Sequence, residues 1–266
     1  MIRAVTINIW NRQGPWPERL ALLRRRLREL DPDIVGLQEV LHLPGSPPDQ
    51  AEEIAAPLEL ASVYGPAWLI AGGPLAFGNA LLSRWPILEH ANLPLPVDEP
   101  HESRAVLHAL LDTPKGRLRV FVTHLSWQFH VAHLRARQVR AIDDAVHALV
   151  GRDELPPILM GDFNAEPDSD EIRFLRGLTA LGGRGTYWAD CFHIAGQGPG
   201  DTYTRANPYA ADLREPARRI DYIFVRGPDK QKRGEPLAAR VVLDTPEGDI
   251  WPSDHFGVLA EIGDGS

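Results

Sequence analysis

The sequence holds one cysteine, Cys191, so no disulfide can form within the chain. No thiolate-activating motif surrounds it, and it reads as a small buried hydrophobe. No apolar run approaches the ~18 residues of a membrane-spanning helix. Met1-Ile2-Arg3-Ala4-Val5 leads straight into a strand pattern, without the charged and apolar segments of a secretory leader, so cytoplasmic residence is the expectation. Positive charge is in short supply: 28 Lys and Arg face 36 Asp and Glu, a formal net charge of -8. That balance counts against a broad basic surface for nucleic acid, although a bound cation can screen acids beside a local basic groove. Neither Gly-x-x-x-x-Gly-Lys nor Gly-x-Gly-x-x-Gly occurs, which leaves nucleotide-cofactor chemistry without support. Ser62, Ser83 and Ser126 lack a Gly-x-Ser-x-Gly setting, which argues against a serine hydrolase. No repeat of solenoid length and no low-complexity linker interrupts the chain. One domain over residues 1–266 is expected.

What is present is an ordinary globular balance, 44% hydrophobic and 24% charged, enough to bury a sizeable core. Ala4–Trp10 and Ile34–Leu37 read as buried strands. Glu18–Leu30 reads as a helix with Leu20, Leu23, Leu27 and Leu30 on one face, and Asp31-Pro32-Asp33 stops it. Arg24, Arg25, Arg26 and Arg28 fall between those leucines and read as its solvated face. A Pro/Gly/Ser loop over Leu43–Gln50 and a short helix over Gln50–Leu58 follow. Strands are expected near Ser62–Tyr64, Trp68–Ala71, Asn79–Ser83, Ile87–Leu93, Ser103–Leu111, Leu118–His124, Pro157–Met160, Ile220–Arg226, Ala238–Asp244 and Gly257–Ile262. Ala132–Leu149 is the longest helix, Asp170–Gly177 a short one, and Gly182–Glu215 mostly irregular.

The acids fall at the ends of these strands. Glu39 follows Ile34-Val35-Gly36-Leu37, where a carboxylate is costly unless paired or bound to a cation. Asp162 and Asn164 flank Phe163 after another apolar strand, and alternation puts both on one side of the chain. Asp221 lies inside Ile220-Asp221-Tyr222-Ile223-Phe224. Asp254-His255 precedes Phe256-Gly257-Val258-Leu259, His124 closes Leu118–Val122, and Asn8 closes the first strand. Hard oxygen ligands without a cysteine cluster favour Mg²⁺ or Mn²⁺ over Zn²⁺. Acids and histidines of this kind suit metal-assisted hydrolysis of a phosphate ester.

The ordered set Asn8, Gln38-Glu39, Thr123-His124-Leu125, Gly161-Asp162-Phe163-Asn164, Arg219-Ile220-Asp221-Tyr222 and Ser253-Asp254-His255 resembles the endonuclease/exonuclease/phosphatase superfamily, which includes pancreatic-type DNase and neutral sphingomyelinases. The resemblance runs from residue 8 to residue 255. It implies a DNase I-like, four-layer α/β sandwich: two central mixed β-sheets flanked by helices, with the site at one edge between the sheets. It implies that Glu39 ligates Mg²⁺, with Asn8 and Asp254 counted in the metal set, that Asp162 orients or deprotonates the attacking water, and that Asn164 positions it or the phosphate. His255 would contact the scissile phosphate, and His124 the phosphate or leaving group. Asp221 would support a catalytic histidine, foremost His124, while Asp254 pairs with His255 or assists the metal. Some nuclease members carry a second acid two positions after the first-strand Asn. Trp10 stands there in this chain, so one Mg²⁺ is expected.

Arg104, Asn79, Trp127 and Trp10 are candidate substrate contacts. Trp251, Phe129, Thr202, Tyr203 and Asn207 are further candidates for the cleft walls. His130 and His133 form a His-x-x-His without a third ligand and read as surface. The leading expectation is a Mg²⁺-dependent phosphodiesterase acting on a small-molecule, lipid or nucleotide phosphodiester. A DNA or RNA nuclease, a phosphomonoesterase of a polyphosphorylated small molecule and a non-catalytic binding module on the same fold are the alternatives. The sequence carries no signal for an oligomeric state.

Overall fold

The computed structural model describes residues 1–43, 45, 49–69, 75–211 and 214–265. The chain begins with β1 (Ile2–Asn8), α1 (Trp16–Leu30), β2 (Ile34–His42), α2 (Gln50–Ala55), β3 (Ala61–Leu69) and β4 (Ala76–Ser83). A meander of β5 (Ile87–Pro94), β6 (Ala105–Thr113) and β7 (Gly116–His124) follows. Helix α3 (Ala132–Leu149) crosses over to β8 (Leu155–Asp162), which lies parallel to β7. Short elements α4 (Asp170–Leu175), β9 (Ala189–Asp190), α5 (Cys191–Ala195) and α6 (Pro208–Ala211) lead to β10 (Asp221–Val225), β11 (Arg233–Val242) and β12 (Gly257–Asp264).

The strands form two six-stranded mixed sheets, in the orders β11-β12-β1-β2-β4-β3 and β5-β6-β7-β8-β10-β9. Period-two alternation divides their side chains among three apolar layers. Ala4, Ile34, Val122, Met160, Ile223 and Val258 meet between the sheets. Their neighbours Val5, Ile7, Val35 and Leu37 point the other way, under Leu23 and Leu27 of α1 and Ile54 of α2. On the second sheet Phe121, Leu159, Tyr222 and Phe224 pack outward against Val139, Ile142 and Val146 of α3 and Ile172 of α4. Each fully buried Val, Leu, Ile or Phe contributes about 1.5–3 kcal/mol, so the sandwich is held chiefly by these layers. Cys191 sits in the inter-sheet cluster as expected, its thiol held neutral by burial. Among the described residues, no helix is long and apolar enough to cross a membrane.

Most expected elements lie where the apolar patterns place them, with three differences. Ser62–Tyr64 and Trp68–Ala71 are not separate strands: β3 runs through both, with a register shift between Pro66 and Trp68, and residues 70 and 71 lie outside the described residues. Residues 44 and 46–48 of the Leu43–Gln50 loop also lie outside them. Among its described residues, the Gly182–Glu215 stretch carries three elements of two to five residues, too short to leave a periodic signature. The arginines of α1 do more than face water. Arg24 donates to Glu53 O, and Arg28 donates to Pro57 O at 2.9 Å, tying α1 to the segment around α2.

Two glycines set tolerances that the site depends on. A Cβ on Gly36 would stand 2.8 Å from Met160 Sδ, so the sheets pack closely here. Gly161 has φ +146, and a Cβ there would lie 1.9 Å from Thr123 O on the neighbouring strand. Gly161→Ala is therefore expected to lose at least about 3 kcal/mol of stability through clash and strain. Urea denaturation checks this; a loss below about 1 kcal/mol would contradict the β7–β8 packing.

Candidate active site

Strand direction gathers the functional side chains. β1 and β2 are parallel, with Asn8 opposite Gln38. β7 and β8 are parallel and finish together, His124 opposite Asp162. β10 runs the other way, so its first residue, Asp221, also lies opposite Asp162. β12 is antiparallel to β1, which brings the Ser253-Asp254-His255 turn to the place where β1 ends. Ser253 Oγ anchors that turn by donating to Asn8 O at 2.6 Å. The sequence motifs, far apart in the chain, thus meet at one edge between the sheets.

Glu39 reaches the site through a bulge. The β2–β4 register shifts between Leu37 and Val40, and Glu39 takes φ +59, a conformation non-glycine residues hold only when their surroundings enforce it. Its carboxylate accepts hydrogen bonds from Asn8 Nδ2 and Asn11 Nδ2, both at 3.1 Å. Asn11 was not among the sequence candidates; its position beside Asn8 in Asn8-Ile9-Trp10-Asn11 was the available signal. Asn8 Nδ2 donates as well to Asp162 Oδ2 at 3.1 Å, while Asn8 Oδ1 accepts from Trp10 N. Asn8, expected among the metal ligands, therefore turns its donor to the acids and its oxygen to the backbone. Asp162 Oδ1 accepts from Asn164 N at 2.9 Å, and Asn164, at φ +49, donates from Nδ2 to Leu125 O.

The histidine pairing corrects the expected one. Asp221 holds His255, not His124: His255 Nδ1 lies 2.9 Å from Asp221 Oδ2. Asp254 does not take that place: its Oδ1 stands 3.2 Å from Ser253 Oγ, and it acts on His255 only through its charge. The physical reason is strand order: β10 projects Asp221 across the gap onto the turn before β12, whereas His124 closes β7 on the far side of Asp162. Asp162 Oδ2 lies between the two rings, 3.4 Å from His124 Nε2 and 3.8 Å from His255 Nε2.

These surroundings drive the two imidazoles apart. Burial opposes charge on His255, but Asp221, Asp254 and Asp162 outweigh it and lift its pKa to about 10. Burial, reinforced by Arg104 and by charged His255, pushes His124 well below the ordinary histidine value. One imidazole is a cation at neutral pH and the other a neutral base. Burial and the nearby Asp221 charge raise Asp162 to about 7, against the pull of His255. Burial likewise raises Asp254, with Glu39 adding to it and His255 opposing. Asp162, Asp221 and His255 also form a buried group whose ligand-type atoms lie within 4.8 Å of one another.

A cavity of about 380 Å³ opens onto this cluster. Its walls include Trp68, Phe77, Arg104, Trp127, Tyr203 and Arg218, as well as the catalytic candidates His124, Asp162, Asn164, Asp254 and His255. Arg104 is buried on the wall rather than exposed on a surface strand. Trp127 is half exposed on a loop that Gln138 and buried Arg135 of α3 fasten through Ser126 and Gln128. Other expected contacts lie off the cavity. Trp10, at φ +53, stacks on Tyr209 at 5.1 Å and covers the buried Arg19 guanidinium at 4.9 Å, which turns its ring away. Trp251 stacks on Phe256 instead. Asn79 is buried behind the wall, donating to Ala105 O and so fixing the strand that begins beside Arg104. Thr202 and Asn207 are internal braces: Thr202 Oγ1 accepts from Ile220 N and Asp221 N, and Asn207 Nδ2 donates to Ser253 O. His130 and His133 lie on the surface, as expected. Arg218, adjacent to a recognised motif, was missed because its side chain reaches the cavity only through the loop's path.

Two face-to-face mixed sheets flanked by helices, with an acid–histidine cluster at one edge, define the DNase I-like class of sandwich. The chain belongs to the Endonuclease/Exonuclease/phosphatase family, whose model matches residues 5–255. Members of this family are generally phosphoester hydrolases that use a divalent metal. Among solved structures, the chain is similar to an endonuclease/exonuclease/phosphatase from Beutenbergia cavernae DSM 12333 (TM-score 0.74, 25% identity, covering 98% of this chain and 71% of that one). It also resembles the human Nocturnin catalytic domain with bound sulfate anion (TM-score 0.74, 20% identity, covering 98% and 93%). Truncated Caenorhabditis elegans TDP2 shares the fold too (TM-score 0.75, 17% identity, covering 98% and 97%). No curated protein matches the sequence.

The split between the histidines can be read directly. In ¹⁵N imidazole spectra of the metal-free protein, His255 is expected to stay protonated through pH 8 and release its proton near pH 10. His124 is expected to stay neutral to lower pH than an ordinary histidine, since burial moves its pKa well down from the usual ~6.5. Asp221→Asn removes an anion that favours charged His255, so that pKa must fall. An unchanged His255 titration would refute the pairing.

Proposed function

We propose that the protein is a divalent-metal-dependent phosphodiesterase that hydrolyses a small-molecule, lipid or nucleotide phosphodiester by in-line attack of water. The observation that carries this reading is Asp162 Oδ2 lying between a neutral and a cationic imidazole, at the mouth of a cavity. Asp162, raised toward neutrality and held at Oδ1 by Asn164 N, is suited to accept a proton from water. Cationic His255, kept in one orientation by Asp221, donates toward the phosphoryl oxygens as negative charge builds on them. Neutral His124 and Arg104 contact the other side of the phosphate or the leaving group. Asn164 positions the phosphate or the attacking water.

The residues fit a hard cation. Glu39, Asp162, Asp221 and Asp254 gather here, and burial, with the neighbouring Asp221 and Glu39 charges adding to it, raises Asp162 and Asp254, which a bound cation would relieve. The ligand-distance trio Asp162, Asp221 and His255 is the poorer candidate for the metal, because the imidazole is charged and its Nδ1 is spent on Asp221. Glu39 would hold Mg²⁺ or Mn²⁺, with Asp254 assisting and Asn8 and Asn11 orienting the carboxylate. When bound, the cation supplies charge neutralisation at the phosphoryl oxygens.

Hydrolysis of bis(p-nitrophenyl) phosphate tests this reading and separates it from a binding module on the same fold. Turnover should need Mg²⁺ or Mn²⁺ and disappear with EDTA. Asp162→Asn and Glu39→Gln should each lower it by about 10³-fold or more, with circular dichroism unchanged. Activity that survives thorough chelation, or a near-wild-type Asp162→Asn enzyme, would overturn the assignment.

A further inference from the structure

One wall of the cavity carries binding capacity that the phosphoryl chemistry does not use. Arg218 is 6% exposed, and its guanidinium stacks 4.6 Å from the Phe129 ring and 5.6 Å from the Tyr203 ring. Tyr203 is 5% exposed and packs its ring 4.9 Å from His255. Arg218 Nε and Tyr203 Oη are buried with no hydrogen-bond partner among the described residues. A buried donor left unpaired costs about 1–3 kcal/mol, so two beside one cavity point to an acceptor that arrives with the ligand. Arg218 already grips one carboxylate, that of Glu215. An ion pair between a lining guanidinium and a lining carboxylate marks a place where a ligand anion can displace the internal one. The Tyr203 ring packs against both the Arg218 guanidinium and the His255 ring, so a group held by Arg218 sits next to the phosphoryl under attack.

From this we infer that the site takes a compact phosphate ester carrying a second anionic group, and that Arg218 with Tyr203 Oη receives that group. The inference rests on the phosphoesterase reading of the cavity and names its substrate class. Size and charge favour a small molecule over a polymer. The cavity, about 380 Å³, lies at the lower end of small-molecule sites. Glu102 and Glu215 line it, and the chain's net charge of -8 disfavours a continuing polyanion.

Binding of non-hydrolysable phosphonates tests this without turnover, so its outcome is separable from that of the activity assay. Alkyl bisphosphonates with two to four methylenes are compared by calorimetry with monophosphonates of equal length, in Mg²⁺. The best bisphosphonate should bind at least about tenfold more tightly than its monophosphonate. Arg218→Gln should reduce that preference to about threefold or less. Tyr203→Phe should also reduce it; this variant keeps the ring against His255 and removes only an unpartnered hydroxyl, so it serves if Arg218→Gln folds poorly. Equal affinities across the series, no binding of either class, or a preference that survives in both variants would overturn the inference. So would a single-stranded tetranucleotide that binds more tightly than every bisphosphonate.

Discussion

Side chain meets side chain across the two sheets at the site in the buried hydrogen bonds of Asp221 with His255 and of Asn8 with Asp162. The rest of the active-site geometry depends on them. Below them the sheets meet through apolar side chains, which set spacing but not direction. At the edge, where acids converge, Asp162 and Asp221 each take a partner from the facing sheet. Removing one member of a buried charged pair typically costs about 3–5 kcal/mol, because the other is left uncompensated. The contacts that hold the site's charge in place thus also fix how the sheets meet at this edge, and the orientation of His255 follows from the sandwich itself.

The site gathers backbone conformations that the layers alone would not select. Trp10, Asn11, Glu39 and Asn164 all have positive φ, and Gly161 stands beside Asp162 where no Cβ would fit. Each such residue costs of order 1–3 kcal/mol, offset by the burial of apolar layers on both faces of each sheet. Asn11 and Asn164 face this cost while anchoring Glu39 and Asp162. The strain therefore lies on residues that aim the two acids.

Loops rather than strands shape the substrate side. The segment after β7 brings Trp127 and Phe129 to the cavity region, and the segment before β10 brings Tyr203, Glu215 and Arg218. Inner braces hold both: Arg135 and Gln138 behind the first, Thr202 and Asn207 behind the second. The catalytic edge can therefore stay fixed while the binding wall varies, in keeping with a family whose members act on different phosphate esters.

Reading the sequence was enough to find most of the strands, because apolar runs such as Ile34–Leu37 and Pro157–Met160 end in polar residues that a core would reject. It also identified the acids and histidines, since carboxylates at the mouths of buried strands need a function or a partner. Pairing was beyond its reach. Asp221 turns to His255 rather than to His124, and Trp10 turns to Tyr209 rather than to the cavity, because strand order and backbone dihedrals decide which groups face each other. Arg218 and Asn11 escaped notice for the same reason: each looks like an ordinary polar loop residue until the fold sets it against its partners. Local pattern and burial cost, acting along the chain, determined the elements and the chemical groups. Which groups share a proton, a wall or a charge was decided only by tertiary structure, because those interactions act through space over a few ångströms between residues as far apart in sequence as Asn8 and Asp162.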